Sequence, residues 1–247
     1  MSIRNLDVKD GLNMPADEAY KVLRSNIQFC ALGGSLKTIA VTSTHAGEGK
    51  TTTSINLAIS VAKDDKKVLY VDADMRKSIS VKDFTERASS GLSNYLSHMA
   101  DFDSIVSHTN LPNLYIVSCG TKPPNPAELL GTLSFREFLE EAASRFDFVI
   151  IDTPPLGSVI DCAIIASQTD GVLLVIRRKA VDINKILRVK QQLEKANARI
   201  LGAVLNRIGK RDYSSYYKYY AYNSGIGVKN VNTDEKGAEV RTMGQEG

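Results

Sequence analysis

The fold is decided by one stretch of the chain, VTSTHAGEGKTTTSINLAISVA at residues 41–62. An apolar run leads into two closely spaced glycines, a lysine and a threonine in succession, and then a helix-forming sequence. Short side chains let successive backbone N–H groups point into one small volume, and the helix that follows aims its positive end at the same place. The stretch therefore predicts a phosphate-binding loop between a buried strand and a helix.

Within this loop, individual residues have distinct predicted roles. The Lys50 ammonium would reach the β- and γ-phosphates of a nucleotide, and the Thr51 hydroxyl would bind Mg²⁺. One position departs from the usual pattern, because Thr44 stands where the motif begins with a glycine, six residues before the lysine. The predicted nucleotide-binding residues of the loop are Gly47, Glu48, Gly49, Lys50, Thr51 and Thr52.

The composition restricts the classes of protein that fit. The chain has 247 residues, 43% of them apolar and 24% charged, which suits one sizeable α/β domain. A formal net charge of +3 does not favour a nucleic-acid partner. The three cysteines are scattered without ligand spacing, and they predict neither a metal site nor a disulfide. With no apolar run of about 18 residues and no signal-peptide pattern at the start, we expect a cytoplasmic protein.

Strand and helix patterns alternate along the chain, and they predict an α/β fold with a mostly parallel sheet flanked by helices. We expect an N-terminal arm at residues 1–14, one domain at 15–210 and a C-terminal tail at 211–247. Residues 77–113 contain no strong strand pattern and are expected to form short helices. The six predicted strands lie at residues 37–42, 66–76, 111–120, 146–155, 170–178 and 198–209. The predicted helices lie at residues 16–30, 51–62, 135–144, 162–167 and 182–196, with another beginning near residue 127.

Polar side chains follow several of these strands where each strand ends. Asp72 and Asp74 follow the second strand, and Asp152 follows the fourth. In an open α/β sheet the carboxyl ends of the strands meet at one crevice, so these acids are expected beside the loop as Mg²⁺ or proton-transfer groups. Acids at a strand end are also common as helix caps. Asn206 ends the last strand, where its amide suits either adenine recognition or a simple turn.

The tail beginning at residue 211 has a different composition. The segment RDYSSYYKYYAYNSGIG at residues 211–227 holds six of the ten tyrosines of the chain, without a strand or helix period. An aromatic surface for single-stranded nucleic acid is one alternative, and a sticky tail is another. Stacking surfaces usually carry basic neighbours, and only Lys218 lies among these tyrosines, so a segment that is chemically modified is favoured. The predicted phosphoacceptors are Tyr213, Tyr216, Tyr217, Tyr219, Tyr220 and Tyr222.

The predicted first helix presents Glu18, Lys21 and Arg24 at spacings of three. This spacing places the three charges on one face of the helix. From spacing alone, a solvated face with internal salt bridges is the favoured interpretation.

Taken in order, five sequence features resemble those of the bacterial tyrosine kinases that accompany capsule and exopolysaccharide synthesis. They are GEGKT at 47–51, VDADMR at 71–76, GTKPPNPAELL at 120–130, VIIDTPP at 149–155 and the tyrosine-rich tail. The resemblance extends from about residue 18 to residue 222. This family belongs to the deviant P-loop ATPases, whose positioning members carry a second lysine five residues before the loop lysine. His45 occupies that place here, which favours the kinase branch.

The resemblance implies an ATP-dependent protein tyrosine autokinase that uses ATP and Mg²⁺. Asp72 would accept the proton of the tyrosine hydroxyl, and Arg76 would contact phosphate. The implied catalytic residues are Lys50, Asp72, Asp74 and Asp152, and the implied metal ligands are Thr51, Asp74 and Asp152. The alternatives are a positioning ATPase of the same fold and a nucleotide-sensing scaffold. A membrane-targeting positioning ATPase would need a C-terminal amphipathic helix, which the tail does not suggest.

The resemblance also implies partners. The tail of one subunit would enter the nucleotide site of its neighbour in a ring of identical subunits, with Glu18, Lys21 and Arg24 at the interface. Lys21 replaces the arginine that usually stands there, so the planar guanidinium fork is lost. The cytoplasmic tail of a separate transmembrane polysaccharide co-polymerase would recruit the kinase to the inner face of the membrane, and a tyrosine phosphatase would reverse the modification.

Overall fold

The computed structural model describes residues 5–8, 11–12, 14–31, 34, 36–76, 90–178 and 182–208. The described strands and helices all belong to a compact unit that spans Met1–Arg207. Both the predicted tyrosine acceptors and the remainder of the predicted tail lie outside the described residues. Among the helices that are described, none has the length and apolar character needed to cross a membrane.

Strands and helices alternate through most of the described chain. The strands are β1 (Asn5–Leu6), β2 (Thr38–Ser43), β3 (Val68–Asp72), β4 (Val106–Thr109), β5 (Leu114–Val117), β6 (Phe148–Asp152), β7 (Gly171–Arg177) and β8 (Ile200–Asn206). The helices are α1 (Met14–Cys30), α2 (Lys50–Ala62), α3 (Leu92–Leu96), α4 (Phe102–Ile105), α5 (Pro126–Leu130), α6 (Leu133–Arg145), α7 (Asp161–Ala166) and α8 (Ile183–Lys195).

The strands form one sheet in the order β1-β4-β5-β3-β6-β2-β7-β8. Every neighbouring pair is parallel except β4 with β5. The register pairs Val41 and Asp72 with Asp152, from the two sides of β6. The carboxyl ends of β2, β3 and β6 therefore meet at one edge of the sheet, where a parallel sheet places its ligand site.

Helices cover both faces of the central sheet. Along β2, Ile39 and Val41 pack into one hydrophobic cluster with Leu57 of α2, whereas Ala40 packs into the other cluster with Phe138 of α6. This alternation follows from the two-residue period of a strand. Because both faces are covered, every residue of β2 is buried and its sequence lacks the alternation of apolar and polar residues that a half-exposed strand shows.

The α/β fold predicted from sequence is confirmed. At the start of α8, the Asp182 carboxylate accepts a hydrogen bond from the Asn184 amide and caps the helix. Residues 77–113 are expected to form short helices without a strong strand pattern; α3 and α4 lie there, but so does β4, which pairs antiparallel with β5 and was not predicted. It has four residues of mixed burial and therefore no apolar run that a sequence could reveal. Within the predicted N-terminal arm, the two-residue strand β1 pairs with β4, which the sequence did not predict.

Candidate active site

The loop between β2 and α2 has the backbone that its glycines predict. Gly47 and Gly49 adopt φ of 79° and 95°, the left-handed region that glycine enters without strain. A side chain is also excluded at Gly49 by space, since a Cβ atom there would lie 2.0 Å from Nδ2 of Asn206. Helix α2 begins at Lys50, so its N-terminal amides open onto the loop.

The Glu48 side chain turns inward and braces the start of the loop. Its Oε2 atom accepts hydrogen bonds from the amides of Thr44 at 2.7 Å and His45 at 3.0 Å, and the residue is only 2% exposed. Its other carboxylate oxygen has no hydrogen-bond partner among the described residues. The carboxylate thus holds the loop at Thr44, the position where the usual motif has its first glycine.

The Lys50 ammonium lies between two of the predicted carboxylates. Its Nζ atom is 3.2 Å from Oδ2 of Asp74 and 3.8 Å from Oδ1 of Asp152. The lysine is 6% exposed, so water screens these attractions weakly. The loop, the end of β6 and the segment after β3 therefore contribute to one buried ionic cluster.

The Thr51 hydroxyl and the Asp152 carboxylate form the most direct contact of the cluster. Thr51 Oγ1 donates to Oδ2 of Asp152 at 2.6 Å, and the Tyr70 hydroxyl donates to the same oxygen at 3.4 Å. Oδ1 of Asp152 is buried and accepts no hydrogen bond from any described residue. The Thr51 hydroxyl and the Asp152 carboxylate, whose Oδ1 accepts no hydrogen bond within the described part of the chain, are oxygen ligands of the kind that Mg²⁺ prefers. Thr51 and Asp152 therefore fit that ion.

The electrostatics of the cluster are dominated by buried negative charge. Burial and the neighbouring Asp152 raise the pKa of Asp72 to about 7. Burial likewise raises the pKa of Asp152 to about 6, although Lys50 and the Thr51 hydroxyl act in the opposite direction. With Asp74, the three carboxylates carry more negative charge than the Lys50 ammonium neutralises. A divalent cation and a carboxylate poised to accept a proton near neutral pH both suit this arrangement.

Two predicted residues have contacts that the sequence did not reveal. Arg76, which was expected to contact phosphate, forms two hydrogen bonds with the carboxylate of Asp161, both at 2.8 Å. Asp161 was missed altogether, because an acid at the first residue of a helix resembles an ordinary helix-terminus charge. Asn206 donates from Nδ2 to the Glu48 carbonyl at 2.9 Å and accepts from the Arg207 amide at 2.8 Å.

The charged face of α1 makes contacts within the subunit. Lys21 lies 2.9 Å from Asp17 and 3.5 Å from Glu18, as expected for a face with internal salt bridges. The Arg24 guanidinium donates to the Ser60 carbonyl at 2.6 Å and tethers α1 to α2. Its side chain is 19% exposed, whereas those of Lys21 and Glu18 are 50% and 44% exposed.

Comparison with known sequences finds a matching domain family and similar proteins that are named tyrosine-protein kinases. A family model described as an AAA domain matches residues 36–203. The tyrosine-protein kinase CpsD of Streptococcus agalactiae is 41% identical over 208 residues, which cover 82% of this chain and 90% of that protein. The tyrosine-protein kinase YwqD of Bacillus subtilis is 36% identical over 204 residues, which cover 82% of this chain and 85% of that protein.

Solved structures agree with the sequence comparison. The kinase domain of the Escherichia coli tyrosine kinase ETK superposes with a TM-score of 0.76 at 35% identity, covering 79% of this chain and 77% of that one. The chimerical protein CapA2B2 gives a TM-score of 0.74 at 33% identity, covering 78% and 85%. The septum site-determining protein MinD of Pyrococcus horikoshii has a TM-score of 0.59 at 24% identity, covering 72% and 73%, and shares the fold.

Proposed function

This chain belongs to the bacterial tyrosine-protein kinases, and we propose that one subunit phosphorylates the C-terminal tyrosines of another identical subunit. As a member of that family it is a protein-tyrosine kinase, an enzyme that transfers a phosphoryl group from ATP to tyrosine. The acceptors proposed here are the six tail tyrosines, and the setting is an oligomer of identical subunits.

The observation that carries the proposal is the convergence of the loop with three carboxylates. Lys50 lies within 4 Å of both Asp74 and Asp152, and Thr51 donates directly to Asp152. Asp72 pairs with Asp152 in the strand register, so it enters the same crevice. A cation, a hydroxyl and a set of acids at a helix N-terminus are the parts that phosphoryl transfer requires.

The residues of the crevice also fit the expected cofactors. We assign the phosphates of ATP to Lys50 and the amides of residues 47–52, and Mg²⁺ to Thr51, Asp74 and Asp152. The spare buried oxygen of Asp152 and the excess negative charge support the metal assignment. When bound, ATP supplies the phosphoryl group and Mg²⁺ neutralises charge that develops during its transfer. Contact between Asn206 and adenine remains a prediction. Both polar atoms of its side chain bond within the protein, and these bonds compete with such a contact.

Asp72 is proposed to take the proton from the attacking tyrosine. A phenol with a pKa near 10 is a poor nucleophile at neutral pH, so a carboxylate within hydrogen-bond reach would activate it. The raised pKa of Asp72, about 7, makes its carboxylate a stronger base than an ordinary aspartate. The amide of Asp74 donates to Oδ1 of Asp72 at 3.1 Å and holds that side chain in place.

Burial restricts which tyrosines can serve as acceptors. Tyr70 is 3% exposed and its hydroxyl bonds to Asp152, so the folded enzyme cannot present it to another subunit. The tail tyrosines of residues 213–222 are the favoured acceptors because their sequence lacks the pattern of a core element. Each added phosphate carries roughly −1.5 to −2 charge. Several together would repel one another and the acidic crevice, which favours release of the tail.

The wider role is proposed from the family resemblance. We propose a ring of subunits in which Glu18 and Lys21 face the neighbour, with Arg24 mainly positioning α1 on α2. A transmembrane polysaccharide co-polymerase would recruit this kinase to the inner face of the membrane through its cytoplasmic tail. The kinase would regulate capsular or exopolysaccharide synthesis, and a tyrosine phosphatase would reset it.

A mixing experiment tests the proposal. One chain carries Lys50→Met with its tail intact, and the other is active but has all six tail tyrosines replaced by phenylalanine. With ATP, Mg²⁺ and the adaptor tail, we expect phosphotyrosine on the Lys50→Met chain within residues 213–222. ATP hydrolysis without phosphotyrosine would instead favour a positioning ATPase or a nucleotide-sensing scaffold. If phosphotyrosine forms only on a chain that has both an intact Lys50 and an intact tyrosine tail, transfer between subunits is refuted.

A further inference from the structure

Arg76 lies four residues after Asp72, in a short segment that begins at the end of β3 and also carries Asp74. We propose that Arg76 is a positioning residue, which fixes Asp72 and Asp74 by clamping the segment to the buried carboxylate of Asp161. This inference rests on the proposed roles of the two acids. It departs from the expectation that Arg76 contacts phosphate.

The acidic segment, residues 72–76, is held mainly by isolated contacts rather than by strand pairing. Strand β3 ends at Asp72, after which the Ala73 amide donates to the Asp152 carbonyl at 2.8 Å. Met75 is 2% exposed and fills the core beneath the segment. Arg76 follows directly, and its guanidinium pairs with the carboxylate of Asp161. Asp72 is thus held by strand pairing with Asp152 and Asp74 by the Lys50 ammonium, and the Arg76 pairing adds an attachment on the far side of both acids.

The geometry of the pair suits a clamp. Nε of Arg76 donates to Oδ2 of Asp161 and Nη2 donates to Oδ1, each at 2.8 Å. Two parallel bonds from a planar guanidinium fix direction as well as distance, which a single ionic contact does not. Nearby Asp161 raises the pKa of Arg76, so the guanidinium stays charged.

Asp161 provides a firm anchor for this clamp. Its side chain is fully buried at the first residue of α7, and Cys162 and Ile165 of the same helix lie in the core with 0% exposure. The chain reaches α7 directly from Asp152 at the end of β6. The clamp thus joins the segment that carries Asp72 and Asp74 to the segment that carries Asp152.

Pairing with Asp161 uses the Nε–Nη2 edge of the Arg76 guanidinium. A phosphate that drew this edge away would leave the fully buried carboxylate of Asp161 without this ionic partner. Losing that partner is costly, although the Arg76 side chain itself is 41% exposed, because the Asp161 charge remains out of water. The observed pairing therefore favours a role in which Arg76 acts through Asp161 rather than on the nucleotide.

The test is a double-mutant cycle on the full-length chain. The variants are Arg76→Ala, Asp161→Asn, their combination and Arg76→Lys, and the acceptor is an excess of the Lys50→Met chain with its tail intact. Labelling is measured at saturating ATP, ATP KM is determined, and each rate is corrected for the folded fraction from a thermal melt.

We expect both single variants to lower the saturated rate on the order of 100-fold, as displaced catalytic groups do, with ATP KM unchanged. The double variant should be no slower than either single variant, and Arg76→Lys should recover part of the rate. If Arg76→Ala does not fold because Asp161 is left unpaired, Asp161→Asn and the double variant carry the comparison. A raised ATP KM with an unchanged saturated rate, or multiplicative losses in the double variant, would overturn the clamp.

Two further variants complete the design. Arg145→Ala removes a guanidinium that pairs with the exposed Asp103 far from the crevice, and it should leave the rate unchanged. An equal loss in this control would overturn the specific role of Arg76. Asp72→Asn separates the two hypotheses. If it retains full activity, the proposed function of Asp72 fails. If it is inactive while Arg76→Ala and Asp161→Asn keep wild-type rates, only the clamp fails.

Discussion

Replacing Asp72 with asparagine should stabilise the ligand-free protein while it abolishes kinase activity. The Asp72 carboxylate is destabilised by burial and by Asp152, as its raised pKa shows. An asparagine cannot ionise, and its Oδ1 can still accept the hydrogen bond that the Asp74 amide now gives to Asp72. The substitution therefore removes the unfavourable charge and keeps the local contact.

The size of the effect follows from the two pKa values. Raising the pKa of Asp72 from 3.8 to about 7 costs about 1.36 kcal/mol for each pH unit, hence at most about 4 kcal/mol. The folded wild type binds the proton more tightly than the unfolded chain does. The contribution of the Asp72 carboxyl group to the stability of the folded state is fully present below pH 3.8 and is lost as the pH rises through about 7. The advantage of asparagine is therefore full above pH 7 and shrinks toward pH 4.

The assay is urea denaturation of the ligand-free protein, with a chelator present, at pH 8 and pH 5. We expect Asp72→Asn to raise the free energy of unfolding by up to about 4 kcal/mol at pH 8, and by about 2.7 kcal/mol less at pH 5. The matched control is Asp101→Asn. Asp101 caps α4 through the Ser104 amide, and asparagine caps a helix equally well, so its stability should change little.

Three results would refute this reasoning. The first is a lower stability of Asp72→Asn than of the wild type at pH 8, and the second is an equal gain in stability at both pH values. Either result would mean that the Asp72 carboxylate is not held at a raised pKa in the folded protein. The third is an equal gain from Asp101→Asn, which would show that the effect is a general one of lost negative charge.

Substitutions at three other positions probe the loop. Lys50→Met should abolish phosphotyrosine formation and leave the circular dichroism spectrum intact, because it removes the ammonium beside Asp74. Glu48→Ala should weaken ATP binding at least about tenfold, measured by calorimetry, since two charge-assisted hydrogen bonds are lost. Glu48→Gln should retain most of the affinity through its amide oxygen. Gly49→Ala should lower both ATP affinity and stability, the latter by about 1–3 kcal/mol, because of its left-handed φ and the clash with Asn206.

Each of these predictions has an outcome that contradicts it. Persistent labelling of Lys50→Met would remove the loop from the mechanism. Equal affinities for Glu48→Ala and the wild type would show that the carboxylate does not hold the loop. Gly131→Ala is the control for Gly49→Ala, because Gly131 has a right-handed φ and the new Cβ would lie 3.4 Å from the Glu128 carbonyl oxygen, an ordinary contact. Comparable losses in both variants would argue against a special requirement at the loop.

The sequence alone determined those features that depend on neighbouring residues. The loop at residues 41–62 combines glycine conformation, helix start and lysine in one contiguous stretch, so its backbone was predictable. The alternation of buried strands and helices predicted the parallel sheet, and that sheet brings Asp72 and Asp152 to the same edge. Short-range chemistry and the known behaviour of parallel strands were sufficient for this part of the site.

Only the tertiary structure decided which distant groups meet and how strongly they interact. Arg76 and Asp161 are separated by 85 positions, and no local pattern specifies that they pair. The same limit hid strand β4, whose four residues are ordered by pairing with β5. The pKa of Asp72, about 7, likewise depends on burial and on Asp152 across the strand pair. Burial and long-range pairing are properties of the packed chain, because they depend on residues that the sequence keeps far apart.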